Sequence, residues 1–283
     1  MERGIVAVTD NVKTAGLIVY WHMSGAAKHE DLREAWLSEG LSEDLLPTLP
    51  TPRCALGRAV AEVKERRQLV RPLAAGWAFV CEHEEVSGEL SYTQIGSVKL
   101  DMIGRLDFSP DTPSEICSSV ALDYSRILFE HAHPDVSSWL KDQAIRLQGI
   151  SLRDTGGVWF VPRQSADEWR RIANAIRLAS AHVVYEIPAL KSSEAVEAIL
   201  DALSREAGEA AAKLEEALAA GDLSERALRS RLSEAIAMEV KLVSYEEQLG
   251  KALPDVAGRL EAVRANLAVA VLAKEAEEAR KER

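Results

Sequence analysis

The sequence predicts an α+β chain: a mixed N-terminal domain over residues 1–190 with antiparallel hairpins and a βαβ unit, then an all-α helical hairpin or coiled-coil segment over residues 191–283. Three observations predict it. All six tryptophans and most of the prolines precede Leu190. Short β-forming runs punctuated by turn residues fill the middle of the chain. Beyond Leu190 the text is rich in Ala, Glu, Leu and Arg, with apolar residues recurring at alternating steps of four and three.

Taken in order, the run Gly16–Trp21 (GLIVYW) predicts a strand. Helices follow at about Glu30–Ser38 and Leu41–Leu46, and another at Pro52–Arg67 after the proline-rich turn LPTLPTP. The segments QLVRPLA, WAFVCEHEEV, ELSYTQIGSVKL and GRLDFS read as strands, with Ser87-Gly88 as a hairpin turn. Thr112-Pro-Ser-Glu115 has the form of a capping box opening a helix to about Glu130, and a further helix is expected from Pro134 to Leu147. Leu152-Arg153 and Val158-Trp159 flank Asp-Thr-Gly-Gly, the turn of another hairpin. A phosphate loop needs its glycines after the strand, where backbone N–H groups meet a helix N-terminus; here they precede it. Ser165–Glu168 is a second capping box, starting a helix to about Ala179 that leads to the strand HVVYEIP, so strand, helix and strand form a candidate βαβ crossover.

In the last third, Val196, Leu200, Leu203, Ala207, Ala210, Leu214 and Ala217 form one stripe. Gly221 stops that helix and Ser224 caps the next, whose stripe is Leu228, Leu232, Ala235, Met238, Leu242, Tyr245 and Leu249. Gly250 and Pro254 separate it from a third helix carrying Val256, Leu260, Val263 and Leu267. Such short breaks predict antiparallel neighbours.

Hydrophobic content of 47% and charged content of 28% describe a folded chain, and the net charge of −11 opposes wrapping of the whole chain on nucleic acid or an anionic membrane. Cys54, Cys81 and Cys117 stand far apart without a Cys-x-x-Cys pair, which excludes a thiolate knuckle and suits reduced, part-buried thiols. Glu2, Asp10 and Lys13 interrupt the first apolar runs, so neither a signal peptide nor a membrane span is expected, and the reading is cytoplasmic.

Glu130-His131-Ala132-His133-Pro134-Asp135 places His131, His133 and Asp135 at alternate positions, as metal ligands in an extended segment would be. The metallo-β-lactamase pattern has a further histidine where this chain has Val136, and the string also suits a helix end. His22, Ser24, His29, Glu30 and Asp31 lie close in sequence, but no nucleophile elbow surrounds the serine. No catalytic residue and no cofactor is assigned. Two basic groups, Lys64, Arg66, Arg67 and Arg71, and Arg163, Arg170, Arg171 and Arg177, are candidate nucleic-acid contacts, although Glu62, Glu65, Asp167 and Glu168 interleave them. Three helices and a hairpin have the element order of a winged helix, and the strands followed by the helix at 114 are similar to the core of single-strand annealing proteins.

GLIVYWHMSG, SEGLSEDLLPTLPTP and TGGVWFVPR, with the helical tail, resemble uncharacterised proteins of similar length in phage and bacterial genomes. The resemblance implies a link to mobile elements and no site residues. The expected role is therefore a non-enzymatic oligomeric scaffold or binding protein, self-associating or docking a protein partner through residues 191–283. Nucleic-acid binding through the arginines is the alternative, and a metal-dependent hydrolase at His131 and His133 the third.

Overall fold

The structure, a computed structural model, describes residues 14–63, 68–84, 88–154, 156–221 and 223–281. In chain order the strands are β1 (Thr14–His22), β2 (Ala26–Lys28), β3 (Gln68–Leu73), β4 (Gly76–Glu84), β5 (Leu90–Leu100), β6 (Leu106–Phe108), β7 (Glu130–Ala132), β8 (Ile150–Ser151), β9 (Trp159–Pro162) and β10 (Val183–Leu190). The α-helices are α1 (His29–Ser38), α2 (Pro52–Glu62), α3 (Ser114–Ile127), α4 (His133–Arg146), α5 (Ala166–Ala179), α6 (Ser193–Ala220), α7 (Glu225–Leu249) and α8 (Pro254–Lys281). The α+β class is as the sequence predicts. The described residues form two compact units that do not follow a break at 190/191: one lies within 14–21, 140–170 and 184–281, the other within 22–139 and 171–183. The reason is visible in the core of the first unit, where the C-terminal helices share their apolar seams with strands from elsewhere in the chain.

In that first unit the sheet has the order β10-β1-β9-β8. β1 and β8 each pair antiparallel with β9, Ile18 opposite Phe160 and Ile150 opposite Phe160 from the other side. β9 leads through α5 to β10, so the expected strand–helix–strand sequence enters one sheet, with β1 between the two strands. Gly16 is required here, since a Cβ on it would meet the Val161 carbonyl oxygen at 2.1 Å. The hairpin before β9 closes with Leu152 N–H donating to the Val158 carbonyl and with Gly156 at φ 101°, a left-handed value that glycine adopts freely. Thr155 lies outside the described residues. Ala15, Ile150, Phe160 and Ala189 from the sheet pack with Val196, Leu203 and Ala207 of α6 and with Leu242, Tyr245 and Leu249 of α7.

Farther along the bundle the three helices bury only one another: Leu214, Leu228, Ala235, Val263, Leu267 and Val271 form a second core. The predicted seams are met closely, except that on α6 Ala211 is buried and its neighbour Ala210 only part-buried. The helix breaks at Gly221, Ser224 and Gly250 are also as predicted. Ser224 accepts the Ala227 N–H, and Gly221 and Gly250 take left-handed φ values of 71° and 76°; Ser192, which the sequence reading did not name, caps α6 by accepting the Ala195 N–H.

In the second unit, the antiparallel sheet β3-β4-β5-β6 carries α2 and α3. Leu56, Ala59 and Val60 of α2 and Ile116, Val120 and Tyr124 of α3 pack with Phe79 and Val98. α2 ends at Glu62, short of the predicted Arg67, and residues 64–67 are outside the described residues, as is Ser87 of the predicted β4–β5 turn. The capping box predicted at Thr112 does not form. α3 begins at Ser114 with no side-chain cap, while Thr112 Oγ1 accepts the Ser97 N–H at 3.1 Å and donates to the Ser97 carbonyl at 3.2 Å. Thr112 therefore pins the residue beside Gly96, where β5 passes too close for any side chain: a Cβ on Gly96 would lie 2.4 Å from Thr112 Oγ1. β2 and β7 make a separate two-stranded ladder with Ala27 opposite His131.

Candidate functional site

β7 delivers His131 to the interior, 1% exposed, and the α1 N-terminus delivers His29 to it. His29 Nδ1 and His131 Nε2 are 2.9 Å apart, so one proton is shared between two rings whose tautomers are coupled. Burial, followed by the neighbouring His29, lowers the His131 pKa to about 4. His133 is exposed at the start of α4, and Asp135 is held by both terminal guanidinium nitrogens of Arg58. The predicted set His131, His133 and Asp135 is thus divided among three surroundings. Among the described residues no group of three or more His, Cys, Asp or Glu side chains is placed to hold a metal ion.

His182, 2% exposed, accepts the Ser24 N–H at Nδ1, 3.1 Å away, while its Nε2 is buried with no hydrogen-bond partner among the described residues. Its pKa is lowered first by burial and then by His133. Ser24 donates its own hydroxyl to the Ala181 carbonyl, a structural contact and not the geometry of an activated nucleophile.

The described arginines have separate surroundings. Arg170 pairs with Asp167 at 2.6 Å, one turn away, and Arg171 donates to the Gly40 carbonyl at 3.5 Å. Arg163 borders an open polar hollow shared with Asp167, Ser244 and Glu247, whose carboxylates oppose an anion. Arg177, on α5, is not without a partner, and Arg71 lies exposed on β3 opposite Ala78. Lys64, Arg66 and Arg67 lie outside the described residues. Of the cysteines, Cys81 and Cys117 are part-buried, but Cys54 is exposed because it occupies the first turn of α2.

A buried charge escaped the sequence reading. Lys241, 6% exposed, donates to Glu206 at 2.7 Å and to the Gly149 carbonyl at 2.8 Å, and Tyr245 donates to the Gln148 carbonyl at 2.7 Å. Burial lowers the Lys241 pKa and Glu206 opposes that shift. The two acceptors belong to the tight turn after α4, where Gln148 takes a φ of 62°. One available signal was a lysine standing directly before Leu242 on the apolar stripe.

The exposed apolar residues of α7 and α8 are the other feature. The predicted seams are buried within the chain, yet Ile236, Val240 and Val243 on α7 and Val269 and Leu272 on α8 remain 45% to 66% exposed. Contiguous apolar side chains left in water mark contact surfaces more often than isolated ones do. No helix among the described residues is long and apolar enough to cross a membrane.

Comparison with curated proteins and with solved structures found no match. A family model does match, over residues 15–278, from the first residues of β1 almost to the end of α8. That span takes in both compact units, and the chain belongs to this family, a family of unknown function (DUF6744).

Proposed function

We propose that the protein is a non-enzymatic scaffold or binding protein that assembles through its C-terminal helices. The observation that carries the reading is the apolar face left on α7 and α8 after their seams have been buried. Leu228, Ala235, Leu242 and Leu249 of α7 already face their own chain, and Ile236, Val240 and Val243 stand outside that seam. An apolar face of this kind favours association by the area it removes from water. The divided surroundings of His131, His133 and Asp135 and the pairing of Arg170 with Asp167 favour this reading over hydrolysis or nucleic-acid binding.

The test is the native mass of the full chain, compared with Val240→Glu, by light scattering over a range of concentrations. Removing residues 191–283 is a poor test, because those helices cover Phe160 and Ile150. The expected result is an assembly for the unaltered chain and a smaller species for the variant with unchanged helicity. A monomer at every concentration overturns the reading.

A further inference from the structure

On α7, Arg229, Ser233, Ile236, Val240, Val243 and Glu247 follow one another at steps of four, three, four, three and four, so they form one line on the helix surface. All six are exposed. The middle of the line is apolar, one end carries a guanidinium and the other a carboxylate. Arg229 also reaches Glu275 on α8 at 2.8 Å, which brings Leu272, one turn before Glu275, to the Ser233 end of the line.

We infer that this line is the contact between two copies of the chain, with α7 packed antiparallel on α7 of the second copy about a two-fold axis. The inference rests on the self-association proposed above and specifies its geometry. A two-fold contact must be self-complementary, the same patch serving on both sides. The line meets that condition in one direction only. With the axis between Ile236 and Val240, Ile236 faces Val240 of the second copy, Ser233 faces Val243, and Arg229 faces Glu247. Parallel pairing sets arginine on arginine and glutamate on glutamate, which like-charge repulsion opposes.

The small Ser233 opposite Val243 leaves space that Leu272 borders. Beside Val269 and Leu272, exposed Ala262, Ala265 and Ala276 continue the same spacing along α8 and allow close approach. The face is about 27 Å long and two helices, roughly 20 Å, wide. Its extent is on the order of 500 Å², which with its rim approaches the ~800 Å² per partner of a standard interface.

The experiment uses the full chain and sedimentation over a concentration series, with circular dichroism to verify folding. Arg229→Glu and Glu247→Arg each place like charges opposite one another and are expected to weaken association by about tenfold. The double variant restores opposite charges across the contact and is expected to associate more tightly than either single variant, short of the unaltered chain because Arg229 also pairs with Glu225 and Glu275 of its own chain. An assembly that responds to Val240→Glu but shows no charge rescue overturns the antiparallel pairing and leaves self-association standing. A chain that is monomeric throughout overturns both.

Discussion

The ammonium of Lys241 lies 2.7 Å from a carboxylate oxygen of Glu206 and 2.8 Å from the Gly149 carbonyl, joining α7, α6 and the turn after α4 at one point. Lys241 is nearly removed from solvent, whereas the Glu206 side chain keeps 35% of its exposure. The two partners are therefore unequal when one is deleted.

Glu206→Ala strands a buried cation, and chemical denaturation is expected to show a loss of about 3 kcal/mol, the range for an uncompensated buried charge. Lys241→Met leaves a carboxylate that water can reach and is expected to cost less, about 1–2 kcal/mol for the unpaired Gly149 carbonyl. The reverse order would exclude Lys241 as the constrained partner.

His131 gives the protein an acid-sensitive contribution. Its folded pKa of about 4 lies below the ordinary value of 6.5, so the unfolded chain binds the proton more readily between those limits. Stability from this group is complete above pH 6.5, falls as the pH drops, and stops falling below about 4. The groups acting on it are His29, which with burial disfavours the charged ring, Asp135, which favours it, and Arg58, which disfavours it. The loss is on the order of 3 kcal/mol. His131→Gln is expected to flatten that slope in urea unfolding measured at pH 7, 5.5 and 4.5; an unchanged slope assigns the acid sensitivity elsewhere.

Gly16→Ala drives a methyl group into the Val161 carbonyl across the β1–β9 ladder. Backbone must move on both strands, and a loss of about 2–3 kcal/mol is expected by thermal or chemical unfolding. Gly208→Ala on α6, where a Cβ meets nothing within 4 Å, is the control and is expected to stabilise by up to about 1 kcal/mol.

Cys54 on the exposed first turn of α2 is expected to react with a thiol reagent in the folded protein well before Cys81 and Cys117. Mass spectrometry after a short pulse reads the order directly, and equal labelling of all three would contradict their different burial.

The parts of this fold that could be read in advance are those written within a turn or two of helix or strand. Apolar steps of four and three named the seams of α6, α7 and α8, and Gly221, Ser224 and Gly250 marked the breaks between them because caps act on neighbouring backbone groups. The glycines before Trp159 were recognisable as a turn for the same reason. Thr112 misled, since its hydroxyl had a second set of partners in β5, 15 residues away. A composition change at 190/191 is blind to what a seam packs on; Phe160 and Ile150 share a core with α6 and α7. His131 bonds a ring 102 residues away and Lys241 a carbonyl 92 residues away, contacts that no spacing along the chain encodes. Periodicity and capping are set by local backbone geometry and so reside in the text itself, whereas the histidine pair, the buried ion pair and the choice of which apolar face stays in water arise only when distant segments compete for the same interior.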